Sequence, residues 1–203
     1  MLARGMIVVS YEQMFVLEGS LLPTERIILG IDPGLANTGW GVVHQSGARL
    51  QCLAYGCVST SSHEPLAARL RKIYEQTTAV VQRFKPSCVG IETVWFGQNI
   101  TAAFATGQAR GAALAACGSG PIEVGEFSPR QIKLAVVGTG SADKAQVQYM
   151  VKQVLSLEKP PEPDHAADAL AAAICFSTHA FDASGYTERT AWLEMPVKQS
   201  INS

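Results

Sequence analysis

The chain has 203 residues, 47% of them hydrophobic and 16% charged, with a formal net charge of −1. This composition excludes an intrinsically disordered chain and provides enough apolar residues for one domain with a full core. No apolar stretch reaches the roughly 18–20 residues of a membrane span. The N-terminal stretch is broken by Tyr11, Glu12 and Gln13, so neither a signal peptide nor a membrane association is expected.

Charge is unevenly spread. Residues 93–156 carry Arg110, Arg130, Lys133, Lys144 and Lys152 against Glu123, Glu126 and Asp143, whereas 157–203 are predominantly acidic. A cationic middle beside an acidic end suits a phosphodiester substrate held next to a metal-loaded acidic site. Cys52, Cys57, Cys88, Cys117 and Cys175 form no C-x-x-C pair and are odd in number. They read as free thiols in a reducing cytoplasm.

Residues 1–25 do not fit the pattern that follows. They read as an extension that need not be ordered, or as an overcalled start with Met6 and Met14 as alternatives. The domain is expected over 26–181. Strands over about 27–32, 39–45 and 49–58, joined by turns rich in Gly, Asn and Ser, predict an antiparallel meander. Leu66, Leu70, Ile73, Thr77, Val80, Val81 and Phe84 recur at helical spacing, which predicts a helix over 64–84 ended by Pro86. A strand at 87–92, an Ala- and Gly-rich helix at 99–117 and a strand at 121–127 follow. Ser128-Pro129 reads as an N-cap with proline at the first helical position. After the Gly138/Gly140 loop, Ser141 is expected to cap a helix over 142–156. A stiff proline-rich linker, 159–163, leads to a helix over 165–179 capped by Asp164. The polar, aperiodic tail after 181 is expected to be mobile. Three strands, a helix, then alternating strands and helices predict a mixed sheet covered by helices.

Three acidic groups stand at element ends. The apolar run Ile27-Ile28-Leu29-Gly30-Ile31 ends in Asp32, and Cys88-Val89-Gly90-Ile91 ends in Glu92. Asp168 sits in the Ala-rich segment that begins Asp164-His165-Ala166-Ala167. Burying a lone carboxylate is costly unless it is paired or metal-bound. His165 and Asp168, three apart, share a helix face. Asp32, Glu92, His165 and Asp168 are therefore candidate ligands for divalent metal ions and candidate catalytic groups. Bland readings exist for each: a turn residue for Asp32, solvated or surface residues for the others, and solvated lysines for Lys133 and Lys144.

The motifs resemble the RuvC family of bacterial Holliday-junction resolvases. The resemblance rests on Ile31-Asp32-Pro33-Gly34, on Ile91-Glu92 with Trp95-Phe96 and Gln98-Asn99, and on Gly107-Gln108-Ala109-Arg110-Gly111. It continues through Pro129-Arg130-Gln131-Ile132-Lys133, through Val137-Gly138-x-Gly140-x-Ala142-x-Lys144-x-Gln146-Val147, and ends with Asp164-His165-Ala166-Ala167-Asp168-Ala169-Leu170-Ala171. It spans about residues 27–180. It implies a ribonuclease-H-like α/β fold, a mixed five-stranded sheet flanked by helices. It implies a homodimer that nicks two opposing strands of a four-way junction and works with the RuvA–RuvB branch-migration complex. It also implies dependence on Mg²⁺, with two ions per site. Asp32, Glu92 and Asp168 fall on the family's catalytic carboxylates, and His165 on a position that is Asp in many members and His in some. Lys133 and Lys144 fall on positions associated with DNA phosphates, and Trp95 on an aromatic that contacts junction bases. Arg110 and Arg130 join these as candidate DNA contacts. A histidine at this position leads us to expect Mn²⁺ to support activity too. At the start of a helix the dipole is expected to favour neutral imidazole.

Other classes remain open at this point. The Asp32-x-Gly34 turn also resembles the phosphate loop of actin-like ATPases, but 203 residues leave no room for a second lobe. A protein that binds branched DNA without cutting it, or a nuclease of the same fold acting on RNA–DNA hybrid or structured RNA, would share much of the pattern.

Overall fold

The computed structural model describes residues 25–93, 99–118 and 120–179. The expectations for Trp95, for residues 1–24 and for the tail lie outside the described residues. Five strands are formed: β1 Glu25–Asp32, β2 Asn37–Ser46, β3 Arg49–Ser59, β4 Cys88–Glu92 and β5 Glu123–Phe127. Five helices accompany them: α1 Leu66–Phe84, α2 Ile100–Cys117, α3 Pro129–Val137, α4 Lys144–Val154 and α5 Asp164–Thr178. The strands order as β3-β2-β1-β4-β5. β1 pairs antiparallel with β2, and β2 with β3, while β4 is parallel to both β1 and β5. The fold is the expected ribonuclease-H-like mixed sheet flanked by helices.

Local chemistry explains most boundaries. The β2–β3 hairpin turns at Gly47, which takes a φ of 57° that side chains rarely adopt. α1 buries Ile73, Thr77, Val80 and Val81 on one stripe. It ends at Lys85, whose backbone N–H donates to the Val81 carbonyl just before Pro86. α3 opens with a reciprocal capping box between Ser128 and Gln131, with proline at the first turn.

Two expected caps are corrected. α4 is capped by Asp143, not Ser141: the Asp143 carboxylate accepts from the Gln146 N–H, and Gln146 reaches back to the Asp143 N–H. Ser141 instead bonds locally with Thr139. Asp164 caps nothing. It is the first residue of α5, which follows Pro163 without a side-chain cap bond. Side chains on Lys144 and Gln148 take up its carboxylate instead.

Side chains alternate across the sheet, and each face has its own apolar cluster. Leu29, Ile31, Val42, Val89 and Ile91 pack with α1 and α2. Ile28, Val43, Cys88 and Phe127 pack with α3, α4 and α5. On this second face the strands carry glycine where α5 crosses them. A methyl group at Gly30 would overlap the Ala169 carbonyl oxygen, and one at Gly39 the His165 carbonyl oxygen. α5 answers with Ala166, Ala167, Ala169 and Ala171 to Ala173, all fully buried. Helix and sheet thus meet nearly backbone to backbone, and this contact brings the start of α5 down onto the end of β1.

Candidate active site

Asp32 and Glu92 close adjacent parallel strands. Ile31 pairs with Ile91, so the two carboxylates leave the sheet at the same level. Both follow a residue packed toward α1 and α2, so both face α5. The first turn of α5 supplies His165 and Asp168 to the same place. The ligating atoms of Asp32, His165 and Asp168 all lie within 4.8 Å of one another. His165 Nδ1 is 2.8 Å from Asp32 Oδ2. A carboxylate only accepts, so Nδ1 carries the proton in this pair.

Glu92 sits beside the trio in an open cleft of about 250 Å³, together with Asp168, Lys133 and Lys144. Ile132 and Val147 form part of the apolar wall. Lys144 Nζ lies 3.5 Å from Asp168 and 3.1 Å from Asp164.

Burial, followed by the crowding of acids, governs the electrostatics. Burial, and then the charges of Asp32 and Asp168, push the Glu92 carboxyl up to about 7, against a smaller opposing pull from Lys133. Burial and the Asp32 charge raise Asp168 above the usual carboxylate range, although Lys144 pulls the other way. The hydrogen bond to Asp32 raises the His165 imidazole despite partial burial. This direction is opposite to the one expected from the helix dipole, because a carboxylate in direct contact favours the charged ring.

The donor set fits a divalent cation. Asp32, His165 and Asp168 converge, with Glu92 in the adjoining cleft, and Lys144 offsets only part of the acidic charge, so the site holds oxygen-rich ligands that a cation would join. Asp164 is outside this set and directs its carboxylate to α4.

The remaining candidates fall in different places. Lys133 and Lys144 are at the cleft. Arg130, on α3, is exposed, with its stem lying against Gly140. Arg110 is not brought to the site. Its Nη2 lies 2.7 Å from Glu126 Oε2, and Glu126 pairs with Ile91 on the α1–α2 face. That contact is ionic rather than a well-aligned hydrogen bond, and Arg110 Nε has no hydrogen-bond partner among the described residues. Sequence reasoning missed Gln148 as the second partner of Asp164. The signal was its spacing of four from Lys144, which places both on one face of α4.

Two carboxylates from adjacent parallel strand ends, completed by an acid and an imidazole from a helix, mark the nuclease class of the ribonuclease-H-like fold. Residues 28–176 match the family model described as "Crossover junction endodeoxyribonuclease RuvC". A protein of that description from Treponema denticola is 47% identical over 147 residues, covering 72% of this chain and 83% of its own length. One from Photobacterium profundum is 50% identical over 154 residues, covering 75% and 88%. Among solved structures, Thermus thermophilus RuvC in complex with a Holliday junction substrate superposes with a TM-score of 0.71 at 36% identity, covering 75% of this chain and 93% of that one. The yeast mitochondrial Holliday junction resolvase Ydc2, at 14% identity and a TM-score of 0.54, shares the fold. The chain belongs to the RuvC family of crossover junction endodeoxyribonucleases. No described helix is long and apolar enough to cross a membrane.

Proposed function

We propose that this protein resolves four-way DNA junctions by metal-dependent hydrolysis of phosphodiester bonds in two opposing strands. The observation that carries this reading is the convergence of Asp32, His165 and Asp168 within 4.8 Å, with Glu92 alongside. Asp32, Glu92, His165 and Asp168 would hold two divalent ions, Mg²⁺ or Mn²⁺. Bound there, such ions supply activation of a water and stabilisation of the leaving oxygen. The chain's own groups do the rest. Asp32 fixes the His165 ring through Nδ1, which leaves Nε2, in the neutral ring, as the nitrogen that would take a metal. Lys133 and Lys144 place positive charge at the cleft, where strand phosphates would lie. Arg130 offers a further exposed cation on α3. Trp95 is assigned to stack on bases at the branch point, where pairing is interrupted. Arg110, engaged by Glu126, braces α2 against β5 instead.

The described residues of one chain carry one such site, and a junction presents two strands. A two-fold homodimer supplies two equal sites to a two-fold substrate. Partnership with a RuvA–RuvB branch-migration complex and action in a reducing cytoplasm complete the reading. The five cysteines are free thiols, in keeping with that compartment.

The test compares cleavage of a four-way junction with cleavage of an RNA–DNA hybrid duplex, with and without Mg²⁺ and Mn²⁺. Paired nicks in the junction that require the metal are expected. Preferential cutting of the hybrid, or junction binding without any nick, would replace this reading with one of the alternatives.

A further inference from the structure

The Lys144 ammonium is shared between two carboxylates. Asp164 and Asp168 stand four residues apart on one face of α5, and Nζ spans them at 3.1 and 3.5 Å. Gln148, one turn along α4, donates from Nε2 to Asp164 Oδ1 at 2.8 Å. Both oxygens of Asp164 are therefore committed, Oδ2 to Lys144 and Oδ1 to Gln148. Asp168 belongs to the trio of converging ligands, and Asp164 does not. Lysine is a point charge on a flexible four-carbon stem, and this one is half exposed. Among the described residues, Asp164 is the carboxylate that can fix its ammonium without drawing on the metal-ligand set.

We infer that Asp164, buttressed by Gln148, is a positioning residue that holds the Lys144 ammonium at the mouth of the cleft for a phosphate of the scissile strand. An ammonium has three donors. Two face Asp164 and Asp168, and the third is left for a substrate oxygen. The role of Asp164 is to place this charge rather than to add affinity. This inference rests on the nuclease reading above.

Two measurements test it. In metal-free protein, surface amines are acetylated with an N-hydroxysuccinimide ester and the labelling of each lysine is followed by mass spectrometry. In Asp164→Asn and in Gln148→Leu, Lys144 should label several-fold faster than in the wild type, with Lys133 unchanged as internal reference. Asp164→Glu should restore slow labelling. In single-turnover nicking at saturating protein, Asp164→Asn should be about tenfold slower, as expected when a reacting arrangement loses its alignment. Junction affinity and its salt dependence should stay within about twofold, because the charge is still present. In a Lys144→Met background the same substitution should change nicking less than about twofold, since its effect passes through the lysine. Unchanged Lys144 labelling in Asp164→Asn would overturn the inference. So would an equal loss of nicking in both backgrounds. The labelling needs no DNA, so a wild-type protein that fails to nick a junction would count against the nuclease reading and leave the placement of Lys144 to be decided separately.

Discussion

Replacing Glu92 by Gln should make the metal-free protein more stable at neutral and alkaline pH while abolishing its nuclease activity. The carboxyl titrates at about 7 in the folded state against an ordinary value of 4.5, because burial and the neighbouring Asp32 and Asp168 charges disfavour its ionised form. The folded state therefore binds this proton more tightly than the unfolded chain does. The associated stability is fully present below pH 4.5 and is lost as pH rises through 7. At pH 8 the difference corresponds to roughly 3 kcal/mol as an upper limit, because charges relax and water enters the open cleft. Glutamine keeps the shape and removes the charge. For a protein of this size the gain would raise Tm on the order of 5–10 °C. Thermal unfolding in EDTA at pH 5 and pH 8 measures it: the variant should exceed the wild type at pH 8 and converge toward it at pH 5. Adding Mn²⁺ at pH 8 should stabilise the wild type more than the variant, because a bound cation removes the repulsion that the substitution relieves. A variant no more stable than the wild type at pH 8 in EDTA would refute the account of Glu92 as a strained, partly buried acid.

Asp32→Asn and Asp168→Asn should each reduce junction nicking by at least about a hundredfold while leaving junction binding within a few-fold, since the cationic cleft is untouched; a gel shift and a cleavage assay on the same preparations check this, and near wild-type cleavage by Asp32→Asn would remove it from the site. His165→Asp should retain cleavage and shift preference toward Mg²⁺, because imidazole is a poorer ligand than carboxylate for magnesium, whereas His165→Ala should lose most activity; cleavage rates in Mg²⁺ and Mn²⁺ for both variants decide it. Gly30→Ala, which sets a methyl group into the Ala169 carbonyl, should cost at least about 1–3 kcal/mol of stability and depress nicking, because it lifts α5 from the sheet; urea denaturation and cleavage rates would show it, and a stable, fully active variant would contradict the close contact.

Much of the candidate site was legible because Asp32 and Glu92 each terminate an apolar run. Continuous apolar runs give β1 and β4, and a carboxylate at the end of each is conspicuous whatever the tertiary structure. The 165/168 spacing likewise places an imidazole and an acid on one helix face without reference to anything else. What could not be read was contact between elements. Gly30 and Gly39 look like ordinary strand glycines until α5 is laid across them, since their purpose is a partner more than a hundred residues away. The pairing of Arg110 with Glu126 could not be read either, because Glu126 lies on β5 and is brought near α2 only by the return of the chain. The misread caps have a local cause. Ser141 and Asp143 both precede α4, and only the reciprocal partner at Gln146 singles out the aspartate. Asp164 has the residue type of a cap, but proline before it and two side chains from α4 give its carboxylate other employment.

The pairing of Ile28 with Cys88 through Ile31 with Ile91 makes β4 a counting device. Between Cys88 and Glu92 the chain can be lengthened or shortened by no amount without loss. One added residue would turn Glu92 to the other side of the sheet, among Ile31, Ile91 and Ala109, away from Asp32, His165 and Asp168. Two added residues would keep the side but carry the acid about 6–7 Å along the strand, beyond reach of Asp168. Insertions and deletions in descendants of this sequence should therefore collect in the β2–β3 turn and in the segments between helices. An otherwise well-folded relative with an altered count here should be a junction-binding protein that has lost the capacity to cut.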